Sequence, residues 1–367
     1  MKTIAIDLTS LNDNFSGIEH YALYITKELI KNSSFQFYLI FKNRIQYFKD
    51  EEIEHDNIKS IILNGRRLGI MLFDLPKLIN RLKPDYCLFL AFPPSIFFRP
   101  KKGIHVFSMI HDTIAWDCPE TMTFKSRFYF RKAIKHAIKI STKLITNSKF
   151  SKQRIIDLLH VDENRISIAY CASAMNTTIQ PFEIVQQKYK LPNHYVLTLS
   201  TVEPRKNIPF LLRCMDYLWN HEDNIPKLVI AGRKGWKTDK LLEGISEKGK
   251  SNIVFTGFID DDDIASIYHY SQFFIFPSIY EGFGIPVLES LQAGRLPLCS
   301  DIPTNREILG EDYPYLFDPR SKEGFVNAMR KMLSNTDEKE IDFELIKNRI
   351  KKFDWLLSSY QILENII

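Results

Sequence analysis

The chain has 367 residues, of which 45% are hydrophobic and 25% charged, with a net charge of +5. At a typical domain size of roughly 150 residues this length suggests two domains, and the balance excludes disordered and fibrous classes. The mild basic excess suits an anionic substrate or membrane surface and is far too small to announce nucleic acid.

No apolar run approaches the roughly 18 residues a membrane span needs; the nearest, Tyr86 to Phe98, is broken by Pro93 and Pro94. The opening residues run straight into a strand-like pattern and lack the apolar core of a signal peptide. The five cysteines (Cys87, Cys118, Cys171, Cys214 and Cys299) are scattered, never closer than 31 residues, which argues against a disulfide framework and a zinc site. These features predict a cytosolic protein.

Short apolar runs alternate with helical patterns throughout. Thr3–Leu8, Gln36–Phe41, Ile58–Leu63, Asp85–Leu90, Ile104–Ile110, Lys143–Asn147 and Arg165–Tyr170 read as buried strands. Between the first two lies an amphipathic segment with Ile18, Tyr21, Ile25 and Leu29 on one face. The alternation then restarts: Tyr195–Ser200, Lys227–Ala231, Asn252–Thr256, Gln272–Phe276 and Leu296–Ser300 read as strands, with helices between. Strand–helix alternation predicts parallel α/β sheets. Two runs of it, split by a polar stretch around 176–193, predict two doubly wound domains joined by one linker. Ligands of such sheets bind outside the carboxyl ends of the strands, which in a two-domain chain favours an interdomain cleft. The motifs to weigh therefore follow strands.

The richest one runs from Pro277 to Gly294. It leaves the strand Gln272–Phe276 and opens a helix, with Pro286 suited to the first turn and Gly294 to the end. The amides of Gly282, Phe283 and Gly284 then lie at the positive end of that helix, and the two glycines let a phosphate approach the backbone. Glu281 precedes the helix and Glu289 lies about one turn inside it. Both are placed to accept hydrogen bonds from vicinal hydroxyls, such as those of sugars and riboses. A lone Gly-x-Gly would be only a helix cap, but here the context and the second carboxylate outweigh that reading. Further upstream, Thr201 to Asn207 follows the first strand of the second run and precedes a helix, Ile208–Trp219. Arg205 and Lys206 sit where they could reach a diphosphate, Arg205 as a fork and Lys206 as a point charge.

Strand-EPRKN-helix, followed 75 residues after Lys206 by EGFGIPVLES, resembles the retaining family 4 glycosyltransferases of the GT-B fold. Asn252 to Phe258, Phe276 to Ser278, Ser300 to Pro303 and Phe317 to Pro319 fall in the expected order. The resemblance implies two Rossmann-like domains facing an interdomain cleft, with 1–178 binding the acceptor and 193–350 the nucleotide-sugar donor. The tail 351–367, with Phe353, Trp355, Leu356, Tyr360 and Leu363 at helical spacing, would pack back on the first domain. Arg205 and Lys206 would bind the donor diphosphate, and Glu281 with the Gly282–Gly284 backbone the transferred sugar and phosphate. Glu289 would bind the ribose. One departure stands out, because many members carry Gly-Arg a few residues upstream of the basic pair, where this chain has Leu199-Ser200. That leaves more of the charge neutralisation to Arg205 and Lys206.

In the first half, Asn14 to Ile18 resembles the family's glycine loop, with Ser16 replacing one glycine. Gly17 would then lie against the diphosphate or acceptor, although a simple loop glycine accounts for it as well. By the same resemblance His111 would contact the donor sugar and support the transition state, with Asp112 orienting it. Ser148 suits a helix N-cap. Asp260–Asp263 contains the Asp-x-Asp that metal-dependent glycosyltransferases of another fold use. At the start of a helix, Ile264–Tyr270, it reads as dipole-complementing acid, so no metal or other cofactor is expected. The stretch from Phe124 to Lys143 interleaves Lys and Arg with aromatics. It suits an anionic membrane face, and equally a solvated face over a core stripe.

The activity implied is metal-independent hexosyl transfer from a nucleoside-diphosphate sugar to a lipid-linked or oligosaccharide acceptor of bacterial surface polysaccharide, with GDP-mannose the favoured donor. UDP- and dTDP-sugars, and a catalytically silent nucleotide-sugar-binding subunit, are the alternatives.

Overall fold

The computed structural model describes residues 1–11, 17–45, 47–201, 203–232, 241–334 and 343–366. The chain divides into two compact units, Met1–Ala172 with Phe353–Ile367, and Ser173–Lys352.

The first unit contains β1 (Lys2–Asp7), β2 (Phe35–Lys42), β3 (Ile58–Leu63), β4 (Tyr86–Phe89), β5 (His105–Met109), β6 (Lys143–Thr146) and β7 (Ile166–Ile168). They form one sheet in the order β3-β2-β1-β4-β5-β6-β7, with every pairing parallel. Its central strands are covered on both faces, so Ile4, Ala5 and Ile6 are wholly buried in succession. The chain winds from β1 outward to β3, then returns across β1 to β4 and winds the other way. The order therefore reverses between β1 and β4.

The helix Gly17–Leu29 buries Tyr21, Ile25 and Leu29, as its periodicity predicts. Of the anticipated glycine loop, Gly17 is the first residue of this helix, while Asn14–Ser16 lie outside the described residues. The end of the chain completes this unit. A helix over Trp355–Leu363 stacks Trp355 on Tyr24, with ring centroids 5.7 Å apart. Ser358 Oγ donates to the Tyr170 carbonyl at 2.8 Å, and the Tyr86 hydroxyl donates to the Ile366 carbonyl at 2.8 Å. Phe353, Trp355 and Leu363 are buried, whereas Leu356 and Tyr360 are exposed and Ile362 and Ile366 take the inner positions.

The second unit holds β8 (Tyr195–Leu199), β9 (Lys227–Ala231), β10 (Ile253–Gly257), β11 (Phe274–Phe276), β12 (Pro297–Ser300) and the two-residue β13 (Leu316–Phe317). The order β10-β9-β8-β11-β12-β13 is again parallel throughout, and here it reverses between β8 and β11. Gly232, at φ +125°, ends β9 so close to its neighbour that a Cβ would lie 2.2 Å from the Ser200 carbonyl oxygen. Only glycine fits there.

The polar stretch 176–193 is more than a linker. It contains the helix Phe182–Tyr189, which buries Val185 and Tyr189 within the second unit. The Tyr189 hydroxyl and Lys188 Nζ both donate to the Asp263 carboxylate, at 2.7 and 2.5 Å. Asp261–Asp263 forms a 3-10 turn leading into the helix Ile264–Tyr270, so this acidic run caps a helix and anchors its neighbour.

Candidate active site

In an open α/β sheet the loops leaving a point of order reversal diverge, and the crevice between them takes ligands. At the reversal in the second unit the two loops are those after β8 and β11. They are the loops that carry the basic pair and the glycine turn.

After β8, Glu203 precedes a 3-10 turn, Pro204–Lys206, and Asn207 closes it at φ +58°. Asn207 Nδ2 donates to the Pro319 carbonyl at 2.9 Å, which fixes the turn from below. The Ile279 amide donates to the Arg205 carbonyl at 2.9 Å, so the two loops are joined through their backbones. The side chains join them again. Arg205 Nη1 reaches Glu281 Oε2 at 2.5 Å and Lys206 Nζ reaches Glu281 Oε1 at 2.7 Å, each cation holding one oxygen. Arg205 Nε also pairs with Glu203 at 2.7 Å.

Glu281 and Lys206 are 7% and 8% exposed, so this network lies in a low-dielectric setting. Burial alone would push the Glu281 carboxyl up, but Arg205 and then Lys206 overcome it and hold it at about 2. Burial and the neighbouring Arg205 pull Lys206 below the usual lysine range, with Glu281 opposing. Two cations thus face two carboxylates. A polyanion arriving here competes with Glu203 and Glu281 for donors that are already positioned.

Gly284, at φ +125°, is the N-cap of the helix Ile285–Gln292, with Pro286 in its first turn. A Cβ at Gly284 would lie 3.4 Å from Ile308 and 3.5 Å from Asn305 Oδ1, so the turn is packed from behind as well as left-handed. Phe283 is buried and anchors the turn, and Gly282 is half-buried before it. The positive end of the helix dipole therefore stands next to the ion network, and both favour an anion. Further along this helix, Glu289 accepts from the buried Tyr268 hydroxyl at 3.1 Å. Burial raises its carboxyl to about 7, with Asp261 adding to the rise and Tyr268 opposing it. Glu281, just before this helix, is thus held low and Glu289, within it, pushed up, because only Glu281 has cations beside it.

The first unit places His111 two residues beyond β5. Its Nε2 lies 3.0 Å from the Leu90 carbonyl, an acceptor only, so Nε2 carries the proton. The Tyr21 ring meets the imidazole edge-on at 5.2 Å. Burial lowers His111 to about 4, and it is a neutral imidazole at pH 7. Asp112 accepts from the Ile114 amide at 3.1 Å. Ser148 caps the helix Lys149–Leu159 by accepting from the Ser151 amide. The helix Phe124–Ile140 buries Ala133, Ile134 and Ala137 and leaves Phe124 and Phe128 exposed.

Sequence reasoning reached every residue of the ion network except Glu203, which stands beside Arg205 in the same motif. An acidic residue two positions before an arginine was the available signal.

Residues 15–172 match the model of Glycosyltransferase Family 4, and residues 180–351 that of Glycosyl transferases group 1. The O-antigen chain mannosyltransferase B of Escherichia coli is 26% identical over 356 residues, covering 93% of each chain. The O-antigen chain mannosyltransferase RfbU of Salmonella typhimurium is 23% identical, covering 79% of this chain and 83% of that one. The chain also matches 28% of the length of the Escherichia coli serotype-specific mannosyltransferase WbdA, at 28% identity. Among solved structures, Anabaena HepE in complex with UDP and glucose superposes with a TM-score of 0.72 at 15% identity, over 100% of this chain and 99% of that one. Sucrose-phosphate synthase of Thermosynechococcus elongatus superposes with a TM-score of 0.75 at 14% identity, over 100% and 98%. With one such model on each half and a fold shared along the full length, the chain belongs to the family 4 glycosyltransferases of the GT-B fold.

Proposed function

We propose that this glycosyltransferase moves a hexosyl group, mannose foremost, from a nucleoside-diphosphate sugar to a lipid-linked or oligosaccharide acceptor in O-antigen or related surface polysaccharide synthesis, with retention at the transferred carbon. The observation that carries the reading is the Arg205–Glu281–Lys206 network beside the helix start at Gly284. The likeness to two O-antigen mannosyltransferases supports the sugar and the pathway. A UDP-sugar donor is the second reading, favoured by the likeness to HepE with its UDP and glucose.

In this reading the diphosphate takes Arg205, Lys206 and the Gly282–Gly284 turn. Their fixed positive potential meets the charge that develops as the bond between the sugar carbon and the phosphate oxygen breaks, without requiring a metal. Glu281, released from part of its pairing, accepts the sugar hydroxyls, and Glu289 accepts those of the ribose. The acceptor oxygen bonds to the same face of the sugar carbon, and its proton passes to the departing phosphate oxygen. His111, neutral and fixed by Leu90, contacts the sugar as a polar group rather than as a cation, near Asp112 and Gly17. The exposed Phe124 and Phe128, with Lys132 4.3 Å above the Phe128 ring, would rest on an anionic membrane face at the cytosolic side.

Lys206→Ala is expected to abolish transfer while the circular dichroism spectrum is kept, because Glu281 retains Arg205. Glu281→Gln, which removes the charge and keeps one acceptor oxygen, should do the same, whereas Glu281→Ala removes both acceptor oxygens. Turnover near wild type in Lys206→Ala or Glu281→Gln contradicts the assignment. Glu289 ionises as pH rises through about 7. Affinity for GDP-mannose should therefore strengthen several-fold from pH 6 to pH 8, and Glu289→Gln should flatten the profile; a profile unchanged in that variant removes Glu289 from the ribose site. Flotation with anionic but not neutral vesicles at low salt, lost in Phe124→Ser/Phe128→Ser, checks the membrane contact. Flotation unchanged by these substitutions counts against it.

A further inference from the structure

The first residue of the C-terminal helix, Trp355, touches two rings of the helix Gly17–Leu29. It stacks on Tyr24 and meets the Tyr21 ring edge-on, with centroids 5.8 Å apart and planes at 73°. Tyr21 in turn meets the His111 imidazole edge-on at 5.2 Å, with planes at 88°. Tyr21 and Tyr24 lie about one helical turn apart and so share a face. The result is a row of four rings, Tyr24, Trp355, Tyr21 and His111, drawn from three distant parts of the chain.

The row is also pinned from its sides. The Tyr21 hydroxyl donates to the Ala169 carbonyl at 3.1 Å, and the next carbonyl, that of Tyr170, accepts Ser358 Oγ at 2.8 Å. One short segment after β7 thus fixes both Tyr21 and the helix that carries Trp355. The Tyr170 ring meets Phe353 edge-on at 5.1 Å, just before that helix begins. At the far end, Ser151 Oγ donates to the His111 carbonyl at 3.3 Å and holds its backbone. Tyr21, Phe353 and Trp355 are all buried, so these contacts are made away from water.

The bond from His111 Nε2 to the Leu90 carbonyl fixes one nitrogen of the imidazole. A ring held by one such bond can still tilt about the bond axis. A second ring set edge-on against it opposes that tilt, and pairs at this separation and angle are favourable. Tyr21 is that second ring, and the ring behind Tyr21 comes from the end of the chain. We propose that Tyr21 and Trp355 are positioning residues for His111, so that the C-terminal helix completes the geometry of the histidine as well as the fold. The inference rests on the glycosyl-transfer reading for the role of His111, and on the first unit alone for the geometry. An aromatic core with no bearing on the histidine would lose stability on substitution and nothing else.

Proton–nitrogen NMR of the imidazoles in the full chain, with the His111 signals identified through His111→Gln, tests this together with steady-state kinetics. In folded Trp355→Leu the His111 signals should shift, while those of His221 in the second unit stay in place. Its kcat should fall by roughly tenfold or more, since a small misplacement of a reacting group costs up to about a hundredfold. Stabilisation by GDP should match that of the parent, because GDP lacks the sugar that His111 contacts. Tyr21→Leu should behave in the same way, and Trp355→Phe, which keeps an aromatic ring, should recover most of both losses. Should Trp355→Leu fold poorly, Tyr24→Leu, at the half-buried end of the row, should give the same changes in smaller measure. His111 signals unmoved in folded Trp355→Leu or Tyr24→Leu overturn the proposal. So does parental kcat in Tyr21→Leu, or a Trp355→Phe chain no better than Trp355→Leu. Shifted His111 signals in a chain whose parent transfers no sugar from GDP-, UDP- or dTDP-linked donors would instead sink the transferase reading and leave the aromatic coupling standing.

Discussion

Glu281 lies between Arg205 and Lys206, one oxygen to each, nearly out of reach of water. Two buried charges with the part-buried Arg205 against them are costly to desolvate, and removing one partner of a buried pair typically costs about 3–5 kcal/mol. The local architecture depends on this contact. It clamps the loop after β8 to the loop after β11, where the backbone bond from Ile279 to Arg205 also joins them. It also keeps two cations rigid at the start of the helix Ile285–Gln292. Rigidity matters because a preorganised charge needs no reorganisation as a leaving group develops its own. With Glu203 included, the network is close to neutral until a polyanion arrives.

The same architecture is used twice with opposite electrostatics. Both sheets are parallel, both reverse order after their first strand, and both place side chains on the divergent loops. In the second unit those side chains pair with each other, which suits a ligand as strongly charged as a diphosphate. In the first unit the histidine is neutral and neither Lys42 nor Arg67 forms an ion pair among the described residues. Acidity follows the same logic at short range. Glu281 is held at about 2 and the half-buried Glu289 raised to about 7, because cations flank only the first.

Much of this was legible in the residues. Twelve strands follow from apolar runs bounded by turn residues, and the helix Gly17–Leu29 from its period. β13 escaped because two residues cannot display a pattern. The helix Phe182–Tyr189 escaped because its exposed polar residues outnumber the two that anchor it, Val185 and Tyr189. Arg205, Lys206, Glu281 and Glu289 could be picked out because each sits in a compact motif after a strand. Their pairing could not, since it spans 75 residues and depends on which strands are neighbours. The acceptor of His111 Nε2 could not be read from sequence for a similar reason: it is the Leu90 carbonyl, just past the end of the adjacent strand. Tyr21, His111 and Trp355 form no local motif at all, and only the fold assembles them.

The central claim is that the network at Glu281 is an anion site built for a nucleoside diphosphate without a metal. Thermal stabilisation of the purified chain by GDP, UDP, dTDP and ADP in EDTA, then in magnesium, measures it most directly. A selective ligand at a hundredfold excess over its Kd adds about 2.7 kcal/mol to stability. The account predicts such a shift for GDP, of equal size with and without magnesium, and its loss in Lys206→Ala. A shift with UDP or dTDP instead changes the donor and keeps the site. No shift with any of the four, or one that appears only with magnesium, contradicts the account.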